Sequence, residues 1–338
     1  MIFTLRNHLS ITSALGAILV GGFLLVFTGS ANLPEKERRN LRLDVHRVQL
    51  RRTSIPFDLS TATIPVSEIY SGGPPKDGIP AISNPRISSP ADASFLKNDD
   101  RIIGVAIEGK ARAYPVSILN QHEIVNDKLG KTPIAVTYCP LCDSAVVFDR
   151  RTSIGELEFG VSGLLYNSNV LMHDRSPTES LWSQMRCEGV SGPGAGQKLK
   201  VLPVELTTWA KWLSRNPSTD VISNETGHRL NYKANPYAGY FRQANLMFPA
   251  KPINKLLPLK EPVLGIWDEQ SAFAISTAAF GRKSRQFEKE LNGKKFLIAF
   301  DADDQTIRIV SADNGIQWLN SFWFAWYAFR PHTTLVTK

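Results

Sequence analysis

Cysteine is scarce: three residues in 338. That excludes a small scaffold stapled by disulfides. Glycine (23) and proline (21) stand near average usage, which excludes collagen-like and low-complexity classes. No P-loop, dinucleotide fingerprint or zinc-protease helix motif occurs. No apolar run of membrane-spanning length follows residue 28, which excludes a polytopic membrane protein. Acidic residues are outnumbered, 31 against 39, for a formal net charge of +8. The basic excess lies mainly in residues 36–52 and no recognition motif accompanies it, so nucleic acid is not an expected partner. With 43% hydrophobic and 21% charged residues, the composition is that of a folded protein.

The one long apolar run is at the N-terminus. Residues 9–28 (LSITSALGAILVGGFLLVFT) carry no charge, and about 20 such residues span a bilayer core as a helix. Gly29-Ser30-Ala31 resembles a small-residue cleavage site. Residues 1–31 are therefore expected to be a signal peptide or a membrane anchor, cleaved in the first case after Ala31. Lys36, Arg38, Arg39, Arg42, Arg47, Arg51 and Arg52 follow. By the positive-inside rule they argue for a cytoplasmic body, whereas the leader pattern argues for export, since a long domain can override loop charge. We expect an extracytoplasmic, periplasmic-side body, with the cytoplasmic face as the alternative. Residues 32–60 read as a basic stalk.

From 61 to 90 the chain is rich in Pro, Gly and Ser, centred on Gly72-Gly73-Pro74-Pro75-Lys76-Asp77-Gly78-Ile79-Pro80, and reads as structured loop. Short β-branched runs follow. Arg101–Ile107, Ala111–Val116, Ile134–Tyr138 and Ala145–Phe148 read as strands. Leu206–Leu213 and residues 284–291 read as helices, and Phe322–Phe329 as an apolar core helix. RIIGVAIEGKARAYP (101–115) echoes PVLGIWDEQSAFAIS (262–276), and DKLGKTPIAVTY (127–138) echoes KELNGKKFLIAF (289–300). The expected body, residues 61–338, is a β-rich α+β fold of two related β-rich units (99–150 and 260–312) packed as one pseudo-symmetric body. Chance similarity between two common β patterns is the alternative. The second copy has Asp301-Ala302-Asp303-Asp304 where the first has Tyr138-Cys139-Pro140-Leu141, so chemistry is expected in the first.

Cys139-Pro140-Leu141-Cys142 is the sharpest chemical feature. Two thiols at this spacing can clip a soft metal ion or close a disulfide. The residues that follow, Ser144-Ala145-Val146-Val147-Phe148, are strand-like, which places the pair at a strand-turn-strand tip rather than at a helix N-terminus. A closed zinc site needs four ligands. Candidates to complete one are His122 and, more weakly, His173 and Cys187. Two thiolates and an imidazole would leave an open position suited to copper or zinc. Glu123, Asn126, Asp127, Asp143 and Ser144 are candidate pocket residues or supports, and Glu123 and Asp127 could orient His122. Asp174, Arg175, Ser180, Trp182 and Gln184 form a second polar cluster that could line a pocket or a buried network. Phe159-Gly160-Val161-Ser162-Gly163 misses the nucleophile-elbow spacing by one residue, so a bulge is expected there.

GGPPKDGIP, ARAYP, HEIVND, TYCPLC, FGVSG, the DR…SLWSQ run and FWFAWYAF together resemble the bacterial "domain of unknown function 3179" family over residues 61–332. The resemblance implies an exported or membrane-anchored protein and no particular activity. It implies His122, Asn126, Asp127, Cys139, Cys142, Asp174, Arg175, Trp182 and Gln184 as the distinctive polar positions. His173 departs from the family pattern, which commonly has an aromatic before Asp-Arg, and Cys187 lies outside the motifs. That leaves His122 with the cysteine pair. Three functions are therefore expected as alternatives: a copper or zinc site at Cys139, Cys142 and His122 with redox chemistry at the metal; a metal-free thiol enzyme; or an envelope-binding module whose cysteine pair is structural. The substrate, whether small molecule or protein, is left open.

Overall fold

The computed structural model describes residues 55–336, and the expected leader and most of the basic stalk lie outside them. Among the described residues no helix is long and apolar enough to cross a membrane. The body is β-rich, as expected. In chain order the elements that matter below are β1 (Arg101–Ile107), β2 (Lys110–Pro115), helix α1 (Val116–His122), β3 (Ile124–Leu129), β4 (Thr132–Cys139), β5 (Ser144–Asp149), β6 (Phe159–Tyr166), β7 (Asn169–Asp174), β8 (Leu181–Ser183), β9 (Glu205–Thr208), α2 (Trp209–Arg215), β10 (Asp220–Ile222), α3 (Ala238–Arg242), β11 (Pro262–Trp267), β12 (Ala272–Ser276), β13 (Arg285–Leu291), β14 (Lys294–Asp301), β15 (Thr306–Ala312), β16 (Gln317–Phe322), α4 (Trp323–Phe329) and β17 (Thr334–Val336).

A nine-stranded sheet runs through the centre, with β3-β4-β5 at its heart and β16-β11-β12-β17 beyond. Its middle strands are buried on both faces, so they read as unbroken apolar runs rather than alternating ones. Successive side chains still go to opposite sides. Ala135, Cys139, Val146 and Phe148 face one core with Phe159, Met172 and Trp182 of the β6-β7-β8 sheet and with Trp323 and Trp326 of α4. Ile134, Val136, Tyr138, Ala145 and Val147 face a second core with Ile103, Val105 and Tyr114 of the β9-β1-β2-β10 sheet and with α1. This alternation puts Cys139 on the aromatic side and its neighbour Tyr138 on the other.

Two parts of the chain use the same device. β9 pairs antiparallel with β1, α2 follows it, and β10 then pairs parallel with β2. Likewise β16 pairs antiparallel with β11, α4 follows it, and β17 pairs parallel with β12. Trp212 of α2 lies so close over Gly104 of β1 that an added Cβ would sit 2.4 Å from its ring; Trp326 of α4 lies over Gly265 of β11, where the distance would be 2.1 Å. Each indole N–H donates to a threonine seven residues on, Thr219 and Thr333, both at 2.9 Å.

Two expectations need correction. Residues 285–291 form strand β13, paired along its whole length with β14, not a helix. The helix placed at 206–213 starts at Trp209, because Glu205–Thr208 pairs with β1. Phe57 is buried in one core cluster with Leu164 and Leu171. The irregularity expected at FGVSG is present as a register shift between Val161 and Leu164.

Candidate functional site

β4 and β5 are antiparallel, with Cys139 opposite Ser144, and the CPLC turn joins them. The Cys142 N–H donates to the Cys139 carbonyl (3.1 Å), and Asp143 closes the turn at φ 48°, a left-handed conformation that Asp tolerates. Both thiols are buried and unlinked by a disulfide. They converge on one acceptor, the Ser168 carbonyl, at 3.8 Å from Cys139 Sγ and 3.2 Å from Cys142 Sγ. Ser168 is presented by the β6–β7 hairpin, whose turn residues Asn167 and Ser168 both have positive φ (51° and 59°).

The two thiols differ in acidity. Burial opposes ionisation of Cys139, but the Cys142 thiol and the backbone N–H groups of Val170, Cys142 and Leu141 outweigh it and hold the Cys139 thiol below its ordinary value. Burial pushes the Cys142 thiol up, and its bond to Cys139 and the charge there add to the shift. Beneath the pair runs a closed polar network. Ser144 Oγ and Asn169 Nδ2 both donate to Gln184 Oε1 (2.7 and 2.8 Å), and Gln184 Nε2 donates to Thr137 Oγ1 (2.9 Å). Trp182 Nε1 donates to Asp174 Oδ2 at 2.7 Å, which fixes the neighbouring β7–β8 pair.

Glu123 follows α1 at φ 58°, and its carbonyl accepts from the Tyr138 N–H (2.8 Å), one residue before Cys139. The residue is 8% exposed, and its carboxyl oxygens keep contact with solvent rather than being sealed without a partner. Burial, then the negative charge that Cys139 carries, push that carboxyl well above the ordinary carboxylate range. The stretch from 224 to 261, whose one regular piece is α3, covers this side. Tyr240 Oη donates to the Leu141 carbonyl (2.9 Å), Ser168 Oγ donates to the Phe248 carbonyl (2.6 Å), and Tyr237 packs on the core that holds Cys139. Lys260 Nζ stands 3.3 Å from the Tyr240 ring centroid, and burial lowers it to about 8. A cavity of about 420 Å³ opens beside the turn, lined in part by Arg101, Asp143, Phe241, Lys260 and Phe322.

The remaining expected residues fall into separate networks. His122 is buried with both ring nitrogens taken: Nδ1 donates to the Pro80 carbonyl and Nε2 accepts from Tyr232 Oη, each at 2.6 Å. Burial lowers it to about 4, and the adjacent charge of His228 adds to the shift. Asp127 accepts from Arg112 and Tyr114 (2.7 Å each). Asn126 bridges the two sheets through both its amide atoms to the Phe159 backbone. Asp143 takes Arg101 at 2.9 Å on both oxygens and Tyr138 Oη at 2.6 Å. His173 lies between Asp77 (3.2 Å) and Glu179 (3.3 Å), and Arg175 bonds Glu158 (2.8 Å). Cys187 bonds the Gln184 carbonyl (3.4 Å), and burial pushes it to about 11. Among the described residues no group of three or more His, Cys, Asp or Glu is arranged to hold a metal ion. Among the described residues the two thiols are joined by no third His, Cys, Asp or Glu arranged to hold a metal ion with them. Ser168, Asn169, Thr137, Tyr237, Tyr240 and Lys260 join the site without having been expected there. Of these only the Asn167-Ser168-Asn169 turn, set between two apolar strands, carries a sequence signal.

Fold and site together define a β-rich protein built around a buried pair of thiols of unequal acidity. The chain belongs to the family described as "Protein of unknown function (DUF3179)", whose model matches residues 76–319. No curated protein and no solved structure matches it.

Proposed function

We propose that Cys139 and Cys142 are a working dithiol that exchanges with a disulfide. The observation that carries this reading is the placement of the pair: both sulfurs are buried at the tip of one turn, 3.8 and 3.2 Å from the same atom, the Ser168 carbonyl oxygen. Cys139 Sγ⁻ attacks one sulfur of the substrate disulfide, that bond breaks, and one substrate thiol leaves from a mixed disulfide. Cys142 then attacks Cys139 Sγ and the second substrate thiol leaves. The pair is oxidised by two electrons and the substrate is reduced to two thiols. Cys139 is 1% exposed and Cys142 0%, which limits the reactant to a small molecule unless the 224–261 stretch moves.

A second reading keeps the metal. Two adjacent thiolates suit Cu(I), and the closeness of both sulfurs to one carbonyl oxygen supports it, with further ligands coming from outside the described residues. Elemental analysis of the full chain purified without chelator, beside the Cys139→Ser/Cys142→Ser variant, separates the two. A Cys139–Cys142 link formed by oxidised dithiothreitol, in protein free of stoichiometric metal, carries the thiol reading. Near-stoichiometric copper or zinc, absent from the variant, carries the metal reading.

Two further proposals concern placement and origin. The apolar run 9–28 supports an anchored or exported protein, where a dithiol would meet an oxidising environment. The matched Gly–Trp–Thr devices of β1-β2-α2 and β11-β12-α4 support a duplicated unit whose first copy alone carries the cysteines. Fractionation of cells expressing the full chain tests the first, since recovery with cytosolic proteins would exclude it.

A further inference from the structure

The cavity beside the CPLC turn carries charge that the dithiol does not use. At about 420 Å³ it has the size of a small-molecule site, about 300–1,000 Å³. Several elements meet on its wall. Arg101 opens β1, Thr208 closes β9, Lys260 stands just ahead of β11, Asp304 lies in the turn between β14 and β15, and Phe322 closes β16. The acidic run Asp301-Ala302-Asp303-Asp304, which has no part in the thiol chemistry, thus reaches the same cavity as Asp143 of the CPLC turn through its last member.

Two of the four charges on this wall neutralise each other: Arg101 bonds both oxygens of Asp143 at 2.9 Å. The other two do not. Lys260 Nζ donates to the backbone carbonyls of Tyr240 (2.6 Å) and Gln243 (2.7 Å) and lies over the Tyr240 ring, and among the described residues no carboxylate pairs with it. An ammonium has three donors, so one is left over. Asp304 accepts from the hydroxyls of Thr306 (2.7 Å) and Thr208 (3.3 Å) and takes no cation among the described residues; the nearby Lys211 goes to Asp301 and Asp303 instead. Both groups are half-buried. Each is held in place by its own neutral partners, so a positive and a negative charge share one cavity without meeting. Between the polar groups the wall is apolar, with Phe241 and Phe322 edge to face at 5.8 Å.

We infer that this cavity binds a small zwitterion with an apolar body, an amino acid or short peptide in chemical class, its carboxylate on Lys260 and its ammonium on Asp304. The ligand carboxylate takes the third N–H of Lys260, the ammonium supplies the cation that Asp304 lacks, and the apolar body lies against Phe241 and Phe322. The Arg101–Asp143 pair, already neutral, adds no net charge. A plain anion would leave Asp304 without a cation and facing a like charge, and a plain cation would do the same to Lys260, so the two charges select against both. The site is separate from the thiol reading, because neither Cys139 nor Cys142 lines the cavity.

The test is calorimetric titration of the full chain with four probes. L-Phenylalanine and glycyl-L-phenylalanine carry both charges, at two separations, on one apolar body. 3-Phenylpropionate lacks the ammonium and phenethylamine lacks the carboxylate. At least one zwitterion should bind at millimolar concentration or below, and about tenfold or more tighter than either single-charge probe, the scale of one lost charged hydrogen bond. Lys260→Met should weaken that zwitterion by about tenfold or more and leave phenethylamine no weaker. Asp304→Asn should weaken it equally and leave 3-phenylpropionate no weaker. No binding of either zwitterion at millimolar concentration overturns the site. A single-charge probe that binds as tightly as the better zwitterion overturns the ligand class. Zwitterion binding unchanged in both variants overturns the placement on Lys260 and Asp304. Should a variant fail to fold, the ranking of the four probes on the parent decides: zwitterion first supports the inference, and any other order overturns it.

Discussion

Replacing Cys142 by alanine should raise the pKa of Cys139. On ionisation of Cys139 the single S–H of Cys142, which otherwise faces the Ser168 carbonyl, is the first favourable contribution set against burial; the backbone at Val170, Cys142 and Leu141 supplies the rest. A hydrogen bond to a charged group is worth about 1.5–3 kcal/mol, and about 1.4 kcal/mol is one pKa unit. Losing this donor should therefore move the Cys139 midpoint up by about one to two units. The direction is unambiguous: a less stabilised thiolate forms at higher pH, so alkylation of Cys139 at neutral pH should fall by about 10- to 100-fold. The assay is the pH profile of iodoacetamide labelling, read by peptide mass spectrometry so that Cys139 and Cys187 are followed separately. Cys187, with its own bond to the Gln184 carbonyl, serves as internal control and should not move. A Cys139 midpoint that stays put or falls in Cys142→Ala would refute the proposed thiolate cradle.

Other consequences can be checked independently. Gly104→Ala and Gly265→Ala should each cost at least the roughly 1–3 kcal/mol typical of overpacking, because the new Cβ would meet the Trp212 and Trp326 rings at 2.4 and 2.1 Å; a melting temperature unchanged by either would contradict the packing. His122 titrates at about 4 against an ordinary 6.5, so its neutral form stabilises the fold fully above pH 6.5 and that contribution is lost as pH falls towards 4. The span is about 3 kcal/mol, and urea midpoints between pH 7 and 4 should show the parent losing more stability than His122→Gln. Cys187→Ser should leave formation of the Cys139–Cys142 link unchanged in thiol-mapping experiments, and its loss would show that the third cysteine takes part.

Much of the strand framework was legible because β4 and β5 are buried on both faces and spell continuous β-branched runs. The failure at 285–291 has a clear cause. Phe287 and Leu291 are four residues apart, a spacing that puts them on one face of a helix and equally on one face of a strand. The intervening Glu and Lys favoured the helix, but pairing with β14 decided the outcome. At 206–208 the strand pairing with β1 likewise overrode a helix pattern that holds only from Trp209. The cysteine pair was legible from its spacing, whereas Glu123 was read only as a support for His122. His122 was drawn to the pair by sequence proximity, whereas in the fold the Pro80 carbonyl and Tyr232 occupy its ring. Ser168, Tyr237 and Tyr240 reach the thiols from a hairpin turn and an irregular stretch, where no periodicity marks which side chains point inward.

The central claim is that Cys139 and Cys142 form a reversible dithiol. It is tested most directly by equilibrating the full chain in dithiothreitol buffers of graded oxidised-to-reduced ratio and mapping the 139–142 peptide at each. A single two-electron transition from two free thiols to an intramolecular link is expected, absent from Cys142→Ala. A pair that remains reduced and unlinked across the whole range would contradict it.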